Sequence, residues 1–149
     1  MTAIRHSSTT TMIVVAGLIL AGCDSMPATT IDGTQAFDRH ALRVQLDSQS
    51  NAEHVARCFA DSAALLPGST ITPYPGSGVF VYRLRAGRYV FESVELTPVA
   101  GGGSRAVVKV TPDYNGRMRA DFVSNRLAPL YQCAGETIEP TWPLTADAS

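Results

Sequence analysis

The sequence predicts a small α+β domain, a two-layer sandwich in which an antiparallel β-meander of three to four strands packs against one or two helices. Three observations predict this class. Residues 52–63 carry an apolar stripe at helical spacing, residues 79–111 contain short alternating segments, and apolar residues at helical spacing return between 123 and 131. A meander with one apolar face needs a layer of helices to cover that face.

The predicted domain opens with a half-buried strand over residues 41–47, because Leu42, Val44 and Leu46 alternate with polar residues. Residues 72–78, rich in Pro and Gly, are predicted as a turn region. The strands of the meander follow, with Ala86-Gly87 as the turn of the first hairpin. They are predicted at residues 79–85, 89–96 and 104–111.

A glycine run over residues 101–103 invites comparison with a phosphate-binding loop. Such a loop needs a helix N-terminus after its glycines, and here a predicted strand follows. We therefore interpret the run as a hairpin loop.

The clearest predicted helix begins with a Ser-x-x-Glu capping box formed by Ser50 and Glu53, and it ends before Pro67. One face carries the apolar stripe. The opposite face is charged and includes His54. A general base at His54 is an alternative, but a solvated polar face explains this pattern without any catalytic role.

Residues 115–133 leave two alternatives open. Apolar residues at helical spacing favour a helical segment ending near Cys133, which Pro129 would kink or divide into short pieces. The alternative is a fourth strand beginning at Arg117, since Asn115-Gly116 is a strong hairpin-turn signal. The apolar residues at helical spacing are Val123, Leu127, Leu130 and Tyr131.

Residues 135–149 are predicted as an irregular tail. Trp142 within it either covers the core or anchors a partner.

The first 22 residues have the composition of an export signal. Arg5 gives a basic start, a Ser- and Thr-rich run follows, and residues 12–20 are almost wholly apolar. Crossing a bilayer takes about 20 apolar residues. The apolar run is therefore too short for a stable transmembrane helix and fits the core of a secretory signal.

The segment Leu20-Ala21-Gly22-Cys23 resembles the lipobox of bacterial lipoproteins. The resemblance implies that residues 1–22 are removed and that Cys23 carries three acyl chains, which would anchor the protein to a membrane. Asp24 resembles a signal for retention in the inner membrane. The alternative is an ordinary secretion signal with a chance cysteine.

Removal of residues 1–22 from the 149-residue chain leaves 127 residues, enough for one small domain with tails. We predict a lipidated tether over 23–38, a domain over 39–134 and the tail beyond it. Arg5 is the only charged residue lost, so eleven basic residues face thirteen acidic ones, a net charge of −2. This charge argues against nucleic acid as a partner.

Two cysteines remain once Cys23 is committed to lipid. Because export places the chain in an oxidising compartment, Cys58 and Cys133 are predicted to form a disulfide. A metal site formed by His54, Cys58 and Cys133 would need reduced thiols and a further ligand, so no metal or cofactor is predicted. The mature chain resembles small proteobacterial lipoproteins with a cysteine in the first helix and another near the C-terminus. It resembles the helix-grip domains of envelope assembly lipoproteins more distantly.

The sequence carries no catalytic signature that predicts an enzyme. His40 and His54 are the only histidines after cleavage, and neither a nucleophile elbow nor a motif-placed pair of carboxylates is present. We therefore predict a non-enzymatic envelope lipoprotein facing the periplasm. The first hypothesis is an adaptor for another envelope protein, and the alternative is a module that binds a small ligand or lipid. A hairpin cluster of residue types enriched at interfaces is the candidate contact site. Its members are Tyr82, Arg83, Arg85, Arg88 and Tyr89.

Overall fold

A computed structural model of the chain describes residues 33–144. The predicted signal peptide, the lipobox with Cys23 and the neighbouring Asp24 lie outside the described residues, as do residues 145–149.

The described chain forms an antiparallel five-stranded sheet covered by helices, which confirms the predicted α+β class. The strands stand in the order β1-β5-β4-β3-β2, so that β2 to β5 form a continuous meander and β1 is added at its far edge. The sheet has five strands, one more than the four at 41–47, 79–85, 89–96 and 104–111 that the sequence pattern places. The five strands are β1 (Leu42–Ser48), β2 (Ser69–Tyr74), β3 (Val79–Ala86), β4 (Tyr89–Pro98) and β5 (Ser104–Val110).

The additional strand is β2, which falls partly in the segment predicted as turns. It is an edge strand that pairs only with β3 among the described strands, and four of its six residues are exposed. Pro73 is tolerated there because an edge position does not require a donor from every residue. The strand therefore lacks the apolar alternation on which its prediction would depend.

The first helix, α1 (Gly33–His40), corrects the predicted boundary between tether and domain. The sequence analysis assigned residues 33–38 to a flexible tether, but they are helical. Phe37 is 1% exposed and packs against Val90 on the sheet. Asp38 is fixed by Lys109, whose Nζ lies 2.6 Å from Asp38 Oδ1. The face of the sheet that carries Val90 is therefore partly covered by α1.

The second helix, α2 (Ala52–Ser62), begins one residue later than the predicted capping box requires. Its N-cap is Asn51, whose Oδ1 accepts the N–H of His54 at 2.8 Å. The predicted capping role of Ser50 was wrong, because Asn51 is the N-cap; the Ser50 carbonyl accepts a hydrogen bond from the Ser104 hydroxyl at 2.8 Å. The helix ends at Ser62, before Pro67 as predicted.

The C-terminal segment is helical, as the favoured alternative predicted. It consists of α3 (Gly116–Phe122), a π-helical segment (Val123–Leu127) and α4 (Ala128–Ala134). Asn115 has a φ of −67° and accepts the N–H of Met118, so it is a helix N-cap and not the first residue of a hairpin turn. Pro129 follows directly on the π-helical segment, and the carbonyl four residues before it, that of Asn125, accepts the N–H of Ala64 at 2.9 Å instead of a helical donor.

A disulfide joins Cys58 in α2 to Cys133 in α4, with 5.7 Å between their Cα atoms. This confirms the predicted pairing. The two helices pack side by side over one main core cluster, and Trp142 from the irregular segment 135–144 packs against that cluster. The Arg119 guanidinium lies 5.1 Å from the centre of the Trp142 ring. Of the two predicted roles of Trp142, covering the core and anchoring a partner, its position agrees with the first.

Candidate functional site

The predicted contact site at the β3–β4 hairpin is only partly available on the surface. Tyr82 is 2% exposed and packs edge-to-face on Phe59, so its assignment as a contact residue was wrong. Alternation along β3 places Tyr82 with apolar neighbours on the face that packs against the core, where Tyr82 and Leu84 are buried and Phe80 is half-buried. Arg83 is half-buried, whereas Arg85 is exposed.

The remaining hairpin residues contact one another or α1. Arg85 Nη2 donates to the Thr34 hydroxyl at 3.0 Å, and the N–H of Gly33 donates to the Arg88 carbonyl at 3.2 Å. The Arg88 guanidinium lies 5.4 Å from the centre of the Tyr89 ring. The hairpin therefore serves in part as the docking surface for α1.

A pocket of about 480 Å³ opens on the other side of β3, between the α2–β2 loop and the α3 and π-helical segments. Leu66 and Met118 lie at its mouth and are 45% and 41% exposed, which makes them two of the four large hydrophobic residues exposed within residues 33–144. Leu84 and Phe91 form an apolar wall. We call this site the Leu66–Met118 pocket.

An irregularity in β4 shapes the wall of the pocket. Leu84 pairs with Glu92 while the next residue, Arg85, pairs with Val90, so Phe91 is an extra residue in the strand. Val90 packs with α1, whereas Phe91 packs against the core under the other helices. A bulge redirects side chains in this way, and bulges are common beside functional sites. Phe91 and Glu92 can therefore both face the helical layer.

Below the pocket lies a buried group of four polar side chains. Glu92 is 0% exposed and accepts hydrogen bonds from the hydroxyls of Tyr82 and Tyr114, both at 2.9 Å. Arg126 is 3% exposed, and its Nε lies 2.7 Å from Glu92 Oε2. A charged pair this deep is costly unless its members are well paired. We call these four residues the Glu92 network.

The π-helical segment carries Arg126 into this position. Isolated π-helical turns inside α-helices occur frequently at functional sites. Arg126 and Tyr114 both line the Leu66–Met118 pocket, so the Glu92 network meets the pocket at these two side chains. The arrangement combines an apolar cavity with a few convergent polar groups, which is typical of small-molecule sites.

Burial raises the pKa of the Tyr82 and Tyr114 phenols, and the charge of Glu92 raises both further. The two tyrosines therefore keep their protons, and donate to Glu92, well above the pH at which an exposed tyrosine ionises.

Alkaline pH is expected to destabilise the protein through these tyrosines. Below about pH 10, the pKa of tyrosine in an unfolded chain, both states keep the two protons and their contribution is constant. Above it the unfolded chain releases protons that the folded protein holds, so the free energy of unfolding falls by up to about 1.4 kcal/mol per pH unit for each tyrosine. Urea denaturation at a series of pH values from neutral upward measures this slope.

Two variants test whether the buried tyrosines cause the fall in the free energy of unfolding with rising pH. Tyr114→Phe is expected to reduce it, while Tyr74→Phe, which changes an exposed tyrosine, is expected to leave it unchanged. Equal slopes in both variants would contradict the assignment.

Sequence reasoning missed Glu92, Tyr114 and Arg126. A signal for Glu92 was present, because it shares the parity of Val94 and Leu96 in the predicted strand and both are buried. A carboxylate on the strand face that otherwise carries buried apolar side chains indicates that a buried donor or cation pairs with it. No comparable pattern marks Arg126.

Comparisons of the chain with protein-family models, with curated proteins and with solved structures gave no match. Within residues 33–144 no helix is long and apolar enough to span a bilayer. The same part of the chain contains no group of three or more His, Cys, Asp or Glu side chains placed to hold a metal ion.

Proposed function

We propose that this protein is a lipid-anchored, non-enzymatic binding module of the bacterial cell envelope that takes a small amphipathic molecule into the Leu66–Met118 pocket. The observation that carries the proposal is the pocket itself, an apolar cavity of about 480 Å³ whose mouth exposes Leu66 and Met118. Exposed apolar side chains around a cavity mark binding surfaces in soluble domains.

Two features support export and anchoring. The lipobox at Leu20-Ala21-Gly22-Cys23 follows a short apolar run, and the domain carries a disulfide of the kind that persists in oxidising compartments. The expected orientation faces the periplasm, and Asp24 favours the inner membrane.

The position of α1 would keep the pocket close to the anchoring membrane. Nine residues lie between Cys23 and Gly33, so the ten Cα-to-Cα steps of the tether span at most about 35 Å. Thr34 contacts Arg85, which also lines the pocket. The chain from the anchor therefore enters the domain at Arg85, a lining residue, so the tether keeps the pocket within reach of molecules that leave the bilayer.

An adaptor function through the β3–β4 hairpin is the second candidate. The exposed guanidinium of Arg85 supports it, and Arg83 and Tyr89 are half-buried neighbours. Tyr82 contributes no exposed surface, and α1 occupies part of the hairpin. Because Tyr82 is buried and α1 covers part of the hairpin, we favour the ligand-binding function.

Ligand binding to the parent and to a variant with a tryptophan in the pocket lining tests the proposal. The oxidised mature chain, residues 23–149 with Cys23→Ser, is expected to bind dodecanoate with a Kd of about 10–100 μM, as measured by isothermal titration calorimetry below the critical micelle concentration. Ala64→Trp places a large ring at the pocket lining and should weaken binding by about tenfold or more.

Ala60→Trp is the matched control, because Ala60 is exposed on α2 and does not line the pocket. It should bind dodecanoate as the parent does. Equal affinity of both tryptophan variants would place the ligand elsewhere and contradict the proposal.

A further inference from the structure

The Arg126 side chain is a buried cation that lines the Leu66–Met118 pocket. Only 4% of it is exposed, whereas the residues at the mouth are nearly half exposed. A guanidinium keeps its charge at all accessible pH values and has five N–H groups in a planar fork. Its position therefore places a guanidinium, paired with Glu92, at the deep end of a largely apolar pocket.

The contacts of the guanidinium leave donors available. Nε lies within ion-pairing distance of Glu92, but its N–H is not directed at any acceptor among the described residues in hydrogen-bonding geometry. Nη1 donates to the Ala64 carbonyl at a long 3.4 Å. Burying an N–H group without a well-placed acceptor costs free energy. A ligand oxygen that accepts a hydrogen bond from the Arg126 guanidinium would reduce this cost.

The charges around the pocket favour an anionic acceptor. Arg126 and Arg85 are the basic residues of its lining, and Asp121 is the acidic one. Glu92 lies behind Tyr114 and shares its charge among Arg126 and the two tyrosine hydroxyls. The lining itself therefore carries one net positive charge.

We infer that the ligand is an amphiphile with a carboxylate-like anionic head, bound with the head on Arg126 and the apolar body between Leu66, Phe91 and Met118. This inference rests on the proposed function and specifies the class of ligand. The head enters first, because the cation lies at the deep end and the exposed apolar side chains lie at the mouth. Tyr82, Tyr114 and Glu92 act as positioning residues that hold the guanidinium.

Three probes of equal chain length test the inference by calorimetry on the mature chain with Cys23→Ser. Dodecanoate is expected to bind about tenfold or more tightly than 1-dodecanol or methyl dodecanoate, because only the acid gives a charge-assisted bidentate pair with arginine. Equal affinities for the three probes, all weakened by Ala64→Trp, would overturn the inference and leave the proposed function standing. No binding of any probe would overturn both.

A charge-neutral double variant tests the role of Arg126 itself. Arg126→Gln alone leaves Glu92 unpaired in the core and endangers the fold, so Glu92→Gln is combined with it. The double variant is expected to lose about tenfold in affinity for dodecanoate and to bind 1-dodecanol within about twofold of the parent. Unchanged affinity for dodecanoate in a variant that keeps the parent's circular dichroism spectrum would overturn the inference.

Discussion

Arg126→Met is expected to lower the free energy of unfolding by about 3–5 kcal/mol, one of the largest effects of any single substitution in this domain. The substitution removes the cation beside Glu92, which is fully buried, and leaves a carboxylate in the core with only two tyrosine hydroxyls as partners. Urea denaturation followed by circular dichroism measures the loss.

The double variant Arg126→Met with Glu92→Gln separates the cost of the orphaned charge from the cost of altered packing. Glutamine keeps an acceptor for the tyrosines and removes the charge, so the double variant is expected to be more stable than Arg126→Met alone. A single variant that loses less than about 1 kcal/mol would show that the pair is not buried as described.

Cys58→Ser is expected to lower the free energy of unfolding by about 2–4 kcal/mol. The disulfide closes a loop with a sequence separation of 75 and joins α2 to α4 across the helical layer. Without it, the unfolded chain gains conformational freedom and the two helices lose their covalent link. Thermal and urea unfolding of the oxidised parent and the variant give the difference.

Two controls accompany the disulfide prediction. Cys58→Ser combined with Cys133→Ser should resemble the single variant, since either change removes the same bond. Chemical reduction should bring the parent to the stability of the variants and should leave the variants unchanged. A parent that is equally stable before and after reduction would contradict the structural role of the bond.

Local patterns predicted most of the fold, because most elements bury one face. The alternation of Leu42, Val44 and Leu46 marked β1, and the stripe through Val55 and Phe59 marked α2. β2 escaped prediction, since an exposed edge strand has no apolar face to reveal it.

Errors arose where tertiary contacts decide a local choice. The segment beginning at Gly33 has the composition of a tether, and it is the contact between Phe37 and Val90 that makes it part of the domain. Asn115-Gly116 favours a turn in isolation, but the apolar side chains that follow it pack as a helix and convert Asn115 into an N-cap.

The candidate site was the least predictable part of the molecule. The disulfide followed from the number of cysteines and the inferred compartment. The alternation of β4 marked Glu92, but the bulge that turns Phe91 to the same face and the π-helical turn around Arg126 change which way a side chain points without a clear sequence signal. Glu92 and Arg126 lie on different elements, so their pairing becomes visible only when β4 and the C-terminal helical segment are brought together.

Binding of an amphiphile in the Leu66–Met118 pocket can be followed at individual side chains by a methyl-resolved NMR titration of the mature chain with dodecanoate. We expect saturable shifts of the methyl signals of Leu66, Leu84 and Met118, and unchanged signals for Val90 on the opposite face of the sheet. Shifts confined to Val90 and the hairpin, or no saturable shift at all, would contradict binding in this pocket.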